Sequence, residues 1–319
     1  MSSGSRADAL AAIYAIAQRD IGNRGLAHDP ASNLFNAHPN DFANACVQIG
    51  QSATPHLGIV TGFYIPNGTP PAAETDGPLG AIYLARTLIS LGIRVTILVD
   101  EFLVDTIRVG LIAAGLDTSV AQSLARLPSD LTHLIALERV GPSYSAETIS
   151  DVMRQTFIET VAAEHWDRCL TMRGRDITDI MEPAHRLFEN SGIPTIGIGD
   201  GGNEIGMGKI SWDTIRRNIP NGATIACRVK TDHLIVVGIS NWGAYALAAG
   251  IAVVRGQALH PLAYDLDHER TILQAMIDSG PLVDGVTGKP TLSVDGFAFD
   301  EYIQPLIQIG RYTTHDRGE

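Results

Sequence analysis

The chain has 319 residues, 45% hydrophobic and 18% charged, with a formal net charge of −12 at pH 7. That balance suits a globular protein with a sizeable core and excludes wholesale disorder. The acidity also argues against nucleic acid or an anionic membrane as partner, since either polyanion would be repelled.

The N-terminal stretch carries Arg6, Asp8, Gln18 and Arg19 too closely spaced for a secretory core, so it is expected to form a helix over Ala7–Gln18 and not an address. A second helical pattern covers Asp41–Gln51. Cys46, Cys169 and Cys227 are odd in number and form no CxxC pair, which points to buried thiols and a cytoplasmic setting. From there apolar runs alternate with Gly/Pro/Asp-rich turns and longer helical patterns. Strands are expected at Leu57–Tyr64, Arg94–Val99, Thr132–Leu137, Pro194–Ile198, Thr224–Val229 and Leu234–Ile239. Helices are expected at Leu79–Leu91, Asp105–Ala114, Ser145–Glu164, Glu182–Ser191, Trp212–Asn218, Trp242–Arg255 and Asp267–Ser279. The alternation predicts a three-layer α/β fold, a mostly parallel sheet with helices on both faces, and ligand sites at the strand carboxyl ends. The apolar window Leu234–Val254 is interrupted by Ser240, Asn241 and glycines, so it is a strand handing over to a helix and not a membrane span. With no linker or repeat, residues 1–319 are expected to form one domain, with 1–52 a helical N-terminal part and 313–319 a polar tail. Pro281–Gly296 is expected to be a surface loop closing over something. Nothing in the sequence sets the oligomeric state, which leaves a homo-oligomer open.

Five segments carry chemistry. The first, TGFYIPNGTPPAAETDGPLGA from Thr61 to Ala81, follows an apolar run and places Glu74 and Asp76 just before a helix. Asp76 either caps that helix or serves as a ligand, whereas Glu74 lies too far upstream to gain from the helix dipole. Thr61, Gly62, Asn67, Gly68 and Thr69 could bind an anion through backbone amides and hydroxyls. In LERVGPS, Leu137–Ser143, Glu138 ends a strand; the bland alternative is a surface Glu138–Arg139 pair. In TMRGRDIT, Thr171–Thr178, Arg173 and Arg175 offer planar forks for a carboxylate or phosphate, and Asp176 could cap a following helix.

The fourth segment, GIGDGGNEIGMGK from Gly197 to Lys209, holds six glycines around Asp200, Asn203 and Glu204. Its GxGxxG spacing matches a dinucleotide loop, but Asp200 and Glu204 would set negative charge where a pyrophosphate lies, and no acid follows about twenty residues on to bind a ribose. The P-loop pattern also fails, because Asn203 replaces its first glycine and Ile210 its hydroxyl residue. A metal or polar-substrate loop remains, set against a plain glycine turn with exposed acids, since hard cations bind carboxylate and amide oxygens. In the last segment, Val229–Leu247, Ser240 and Asn241 stand between a strand and a helix, where they either cap the helix or orient a ligand. HExxH, HxxxH and GxSxG are all absent.

In this order TGFYIPNGTPPAAETDGP, ERVGP, MRGRDIT and GIGDGGNEIGMGK resemble the signature of the D-glutamate cyclase C-terminal domain family, over roughly Asn33 to Gly296. The resemblance implies a lyase that converts D-glutamate into 5-oxo-D-proline and water, with an acidic amino acid as substrate. The family also includes stand-alone microbial proteins suspected of metal-dependent phosphatase activity. The acid-rich loops suit a divalent cation such as manganese or magnesium, with Glu74, Asp76, Asp200, Asn203 and Glu204 as candidate ligands. Asp200, Glu138 and Arg173 are then the candidate catalytic groups, Glu138 moving protons and Arg173 holding the α-carboxylate. Thr61, Asn67, Thr69, Gly201, Gly202, Lys209 and Asn241 complete the expected substrate contacts. In a phosphatase the same metal would activate water against a phosphoryl group held by Arg173 or Lys209. A non-catalytic small-molecule-binding protein is the third expectation.

Overall fold

The computed structural model describes residues 3–313; beyond Thr313, the expected tail lies outside them. Six parallel strands form the central sheet: β1 (His56–Thr61), β4 (Arg94–Val99), β5 (Ala121–Ser123), β6 (His133–Leu137), β7 (Thr195–Gly199) and β8 (His233–Val236). A small sheet joins β2 (Tyr64–Ile65), β3 (Ala72–Glu74) and β9 (Leu282–Val283), and β10 (Ser293–Val294) pairs with β11 (Phe297–Ala298). The spatial order of the large sheet is β5-β4-β1-β6-β7-β8. Chain order therefore reverses at β1, with β4 in register on one side (Ile59 opposite Ile97) and β6 on the other (Ile59 opposite Ile135). Loops leaving the carboxyl ends of strands at such a reversal part to opposite faces and leave a crevice between them.

Alternation along each strand builds two cores. Leu57, Ile59, Ile135, Leu137, Ile196, Ile198 and Ile235 belong to the larger one. It is covered by α1 (Ser3–Ala17), α2 (Asp41–Gln51), α3 (Pro78–Ser90), α4 (Val104–Ala113), α9 (Ser240–Arg255) and α10 (Leu266–Ser279), with α11 (Phe299–Tyr302) and α12 (Gln304–Gly310) beside them. Val60, Leu98, Leu134, Ala136, Leu234 and Val236 point the other way, toward α5 (Asp151–Thr160), α6 (His185–Glu189), α7 (Trp212–Asn218) and α8 (Gly222–Ile225). Helix α9 is buried along nearly all its length, because α1, α2 and α3 pack around it. Its apolar sequence is that of a core helix; among the described residues no helix is long and apolar enough to cross a membrane.

The strand expected at Thr224–Val229 is not there. Residues 222–225 form the short α8, and Cys227 and Lys230 make isolated bridges to Ser143 and to Gly206. A short apolar run fits either conformation, so its tertiary partners decide. The three-residue edge strand β5 escaped sequence reading because it is too brief to show a period. The long helix expected over Ser145–Glu164 shrinks to Asp151–Thr160, since Ser145, Glu147 and Thr148 tie one another into a turn. No helix follows Asp176, whose carboxylate accepts bonds from the Thr178 N–H and hydroxyl at 2.9 and 2.5 Å. All three cysteines are free and buried.

Candidate active site

At the carboxyl edge of the sheet, Glu138 immediately follows β6, with φ of +45°. It is buried rather than part of a surface pair: the neighbouring Arg139, also buried, turns away to Asp100 at the end of β4 and to the Glu182 carbonyl. This buried ion pair ties three connections together beneath the site. Glu138 Oε2 accepts a 2.6 Å bond from the Ser240 hydroxyl at the start of α9.

Asp76 does not cap the helix that follows it in sequence. Its carboxylate accepts bonds from the N–H groups of Ser240 and Asn241, at 2.9 and 2.8 Å, so it caps the N-terminus of α9. A helix N-terminus leaves such donors unpaired and carries partial positive charge, and a carboxylate satisfies both. The Asn241 Oδ1 in turn accepts from Gly77 and Gly80 at the start of α3. Asn241 is thereby committed to the scaffold and does not line the cavity described below.

The glycines of the fourth segment have a packing reason. A Cβ on Gly197 would lie 2.6 Å from the Ile205 carbonyl, because the chain folds back across its own strand after the turn. Inside that turn the Glu204 carboxylate accepts from the N–H groups of Asp200, Gly201 and Gly202 at 3.1, 2.6 and 2.7 Å. Those glycine amides, expected to contact substrate, therefore donate to Glu204. Asn203 donates to the Leu170 carbonyl at 2.8 Å. The loop is built to hold Asp200, whose Oδ2 is buried and accepts no hydrogen bond.

Two functional candidates were missed in the sequence. Arg24, from the connection between α1 and α2, pairs with Asp200 Oδ1 and, at 2.8 Å, with Asp295 Oδ1. Asp295 occupies the turn between β10 and β11, where Asp295 and Gly296 have φ of +55° and +84°. An Asp-Gly pair flanked by short strands was a legible hairpin signal inside the expected Pro281–Gly296 loop. Arg24 had no local signal at all. The loop does close over the site: Asp284 organises it by accepting from Val286, Thr287 and Gly296, and Gly285 and Val286 face the cavity.

The resulting cavity has a volume of about 190 Å³, suited to a small metabolite. Arg24, Glu74, Glu138, Asp200, Glu204 and Asp295 line it, with Arg173 and Asn67 among the residues at its mouth. Arg173 is exposed and donates to the Val286 carbonyl at 3.1 Å, while Arg175 holds Asn67. Other expected residues lie elsewhere. Thr61 is fully buried beside Gly77, its hydroxyl unpartnered. Thr69 is exposed and donates its N–H to Gly288. Lys209 is drawn to Asp41 on α2 and to the Asp232 carbonyl, outside the cavity lining, because the returning chain carries it past the sheet edge.

Electrostatically the site is crowded with acid. Burial, then Asp200, Glu204, Glu74 and Asp76, hold the Glu138 carboxyl well above its ordinary range. Glu74 is raised by burial and by Asp295 and Asp76. Asp200 is raised by burial although Arg24 pulls it down, and Asp76 is pushed up to about 8 by burial and Asp295 against its two helix N–H bonds. These groups could hold a metal ion: oxygens of Asp76, Asp200 and Asp295 lie within 4.8 Å of one another, as do those of Glu138, Asp200 and Glu204. The all-oxygen donor set fits a hard divalent cation, and the unpartnered Oδ2 atoms of Asp200 and Asp295 are the lone pairs such an ion would satisfy.

Two comparisons relate the chain to known proteins. The model of the family described as D-glutamate cyclase-like, C-terminal, matches residues 13–309. Among curated proteins, the mitochondrial D-glutamate cyclase of Homo sapiens is 30% identical over 255 residues, 76% of this chain and 38% of that protein. The chain thus spans well under half the length of the relative it matches.

Proposed function

The chain belongs to the D-glutamate cyclase-like, C-terminal family, and on that premise we propose that it closes D-glutamate to 5-oxo-D-proline with loss of water. The observation that carries this function is the set of buried carboxyls, Glu138, Asp200 and Glu74, that line a cavity of small-metabolite size and whose protonated forms burial favours.

The chemistry asks for such a set. A bond forms between the α-nitrogen and the γ-carbon, and one γ-carbon–oxygen bond breaks. The ammonium sheds two protons to become the lactam N–H, and the departing oxygen gains two to leave as water, so the reaction is proton-neutral but needs carriers. Glu138, whose protonated form is favoured by burial and by the neighbouring acids, donates to the leaving oxygen and recovers a proton from the amine. Ser240 fixes the orientation of Glu138 through the 2.6 Å bond. Arg173 receives the α-carboxylate at the mouth as a forked cation. Holding the substrate folded in a small cavity adds proximity. A bound manganese or magnesium ion, held by Asp200 with Asp76 and Asp295, would polarise the γ-carboxyl as a Lewis acid. The N-terminal helical part acts with the strand-end loops here, because the connection after α1 contributes Arg24 to the same cavity.

Phosphoryl hydrolysis draws less support, since Lys209, one of the two cations expected to hold a phosphoryl group, lies off the cavity. Purified protein supplied with magnesium or manganese should yield 5-oxo-D-proline from D-glutamate, followed by proton NMR, and Glu138→Gln should stop it. Ligand retention without turnover would favour a binding protein instead, and release of phosphate from a generic ester would favour the hydrolase.

A further inference from the structure

Among the described residues, Arg24 is the cation ion-paired with acids that line the cavity, and it comes from outside the strand-end loops. Its placement is built rather than incidental. The Asp20 carboxylate gathers the N–H groups of Arg24, Gly25 and Leu26 at 2.8 to 2.9 Å. Gly25, with φ of +94°, lets the chain pass so close to α7 that a Cβ would lie 2.1 Å from the Asn218 carbonyl. Asn218 then bonds the Asp29 N–H and the Ser32 carbonyl, locking the rest of the loop. From this clamp the guanidinium donates to Asp200 and forms an ion pair with Asp295, and it lines the cavity with its side chain still 18% exposed.

We propose that Arg24 holds the γ-carboxylate of the substrate at the inner end of the cavity, while Arg173 takes the α-carboxylate at the mouth. This assignment rests on the cyclase function proposed above. A substrate with two carboxylates meets two arginines, and the chemistry decides which goes where. The oxygen that leaves belongs to the γ-carboxylate, so that group must lie beside the buried carboxyls at the inner end of the cavity. Arg24 is bonded to Asp200, and oxygens of Asp200 and Glu138 lie within 4.8 Å of each other. Arg173, tied to the exposed Val286, stands away from them at the rim. A guanidinium facing the γ-carboxylate can also offset the charge that makes it a poor electrophile, which gives Arg24 a share in turnover as well as in binding.

Product binding separates the two arginines, because 5-oxo-D-proline keeps the α-carboxylate but carries a neutral lactam carbonyl at the former γ-position. Arg24→Lys retains the charge and loses the fork. It should raise the KM for D-glutamate about tenfold, the loss of roughly one charge-assisted bond, while changing 5-oxo-D-proline inhibition much less. Arg173→Lys should weaken substrate and product alike. An Arg24→Lys enzyme that weakens both ligands equally, or neither, overturns the assignment. Should that variant not fold, the wild type decides by calorimetry: D-glutamate must bind more tightly than D-glutamine, its neutral γ-amide, and equal affinities overturn the proposal. A wild type that binds D-glutamate with this preference but does not turn it over sinks the cyclase function and spares the role of Arg24. Turnover with an unchanged KM in Arg24→Lys sinks only Arg24.

Discussion

Asp76 and Asn241 cap each other's helices. Asp76 accepts the first amides of α9, and Asn241, within α9, accepts those of Gly77 and Gly80 at the start of α3, at 2.9 and 2.8 Å. The exchange locks α3, which follows β3, to α9, which follows β8, across the crevice where the acids collect. Asn241→Ala leaves the buried Gly80 amide without an acceptor and the Gly77 amide with only Asp76, and should cost roughly 1–3 kcal/mol. Urea unfolding measures it; a loss within error would show that water replaces the side chain.

Glu204 should behave as a structural residue first. In Glu204→Gln one oxygen becomes an NH₂ that faces backbone donors, so the turn carrying Asp200 must rearrange. We expect a loss of about 2 kcal/mol together with loss of turnover. A variant of wild-type stability that had lost only metal uptake would instead make Glu204 a ligand.

Gly285 is a steric gate for Glu74. A Cβ there would lie 1.9 Å from Glu74 Oε2, so Gly285→Ala must displace either the carboxylate or the loop that closes the cavity. Because the glycine lines the cavity and is only partly buried, turnover should fall well below wild type while the melting temperature changes little. Wild-type kinetics would mean that the loop shifts freely.

A divalent ion bound by Asp76, Asp200 and Asp295 would stabilise the folded state by mass action. Magnesium or manganese should therefore raise the melting temperature of the wild type in a concentration-dependent way, and a chelator should reverse it. Asp200→Asn should abolish the rise. An equal rise in that variant would place the ion elsewhere.

Away from the site, Glu269 is buried beneath α3 with Arg86 as its partner, and burial raises its carboxyl to about 7 against the pull of Arg86. The folded protein thus holds this proton more tightly than the unfolded chain. Its contribution to stability is complete below the ordinary carboxyl range and is lost as pH rises through about 7. Melting temperature should fall from about pH 5 to about pH 8. The fall should be shallower in Glu269→Gln, though not absent, since Glu74, Asp76, Glu138 and Asp200 are shifted in the same direction. A curve displaced but equally steep would remove Glu269 from the account.

The sequence by itself determined the layered fold and the placing of Glu138 and Asp200 at the carboxyl edge of its sheet. Strand alternation and turn chemistry are local, and a parallel sheet places every loop after a strand on one edge, so Glu138 and Asp200 had to converge. The short β5, the false strand at 224–229 and the truncated α5 were not legible, because brief apolar runs carry no decisive period. Only the tertiary structure decided the partners. Asp76 caps a helix 164 residues away, Arg24 reaches Asp200 across 176 residues, Lys209 is drawn off to Asp41, and Glu204 is taken up by its own loop. Such pairings depend on which elements pack together and which buried donors would otherwise lack acceptors, and no spacing within a single segment encodes that.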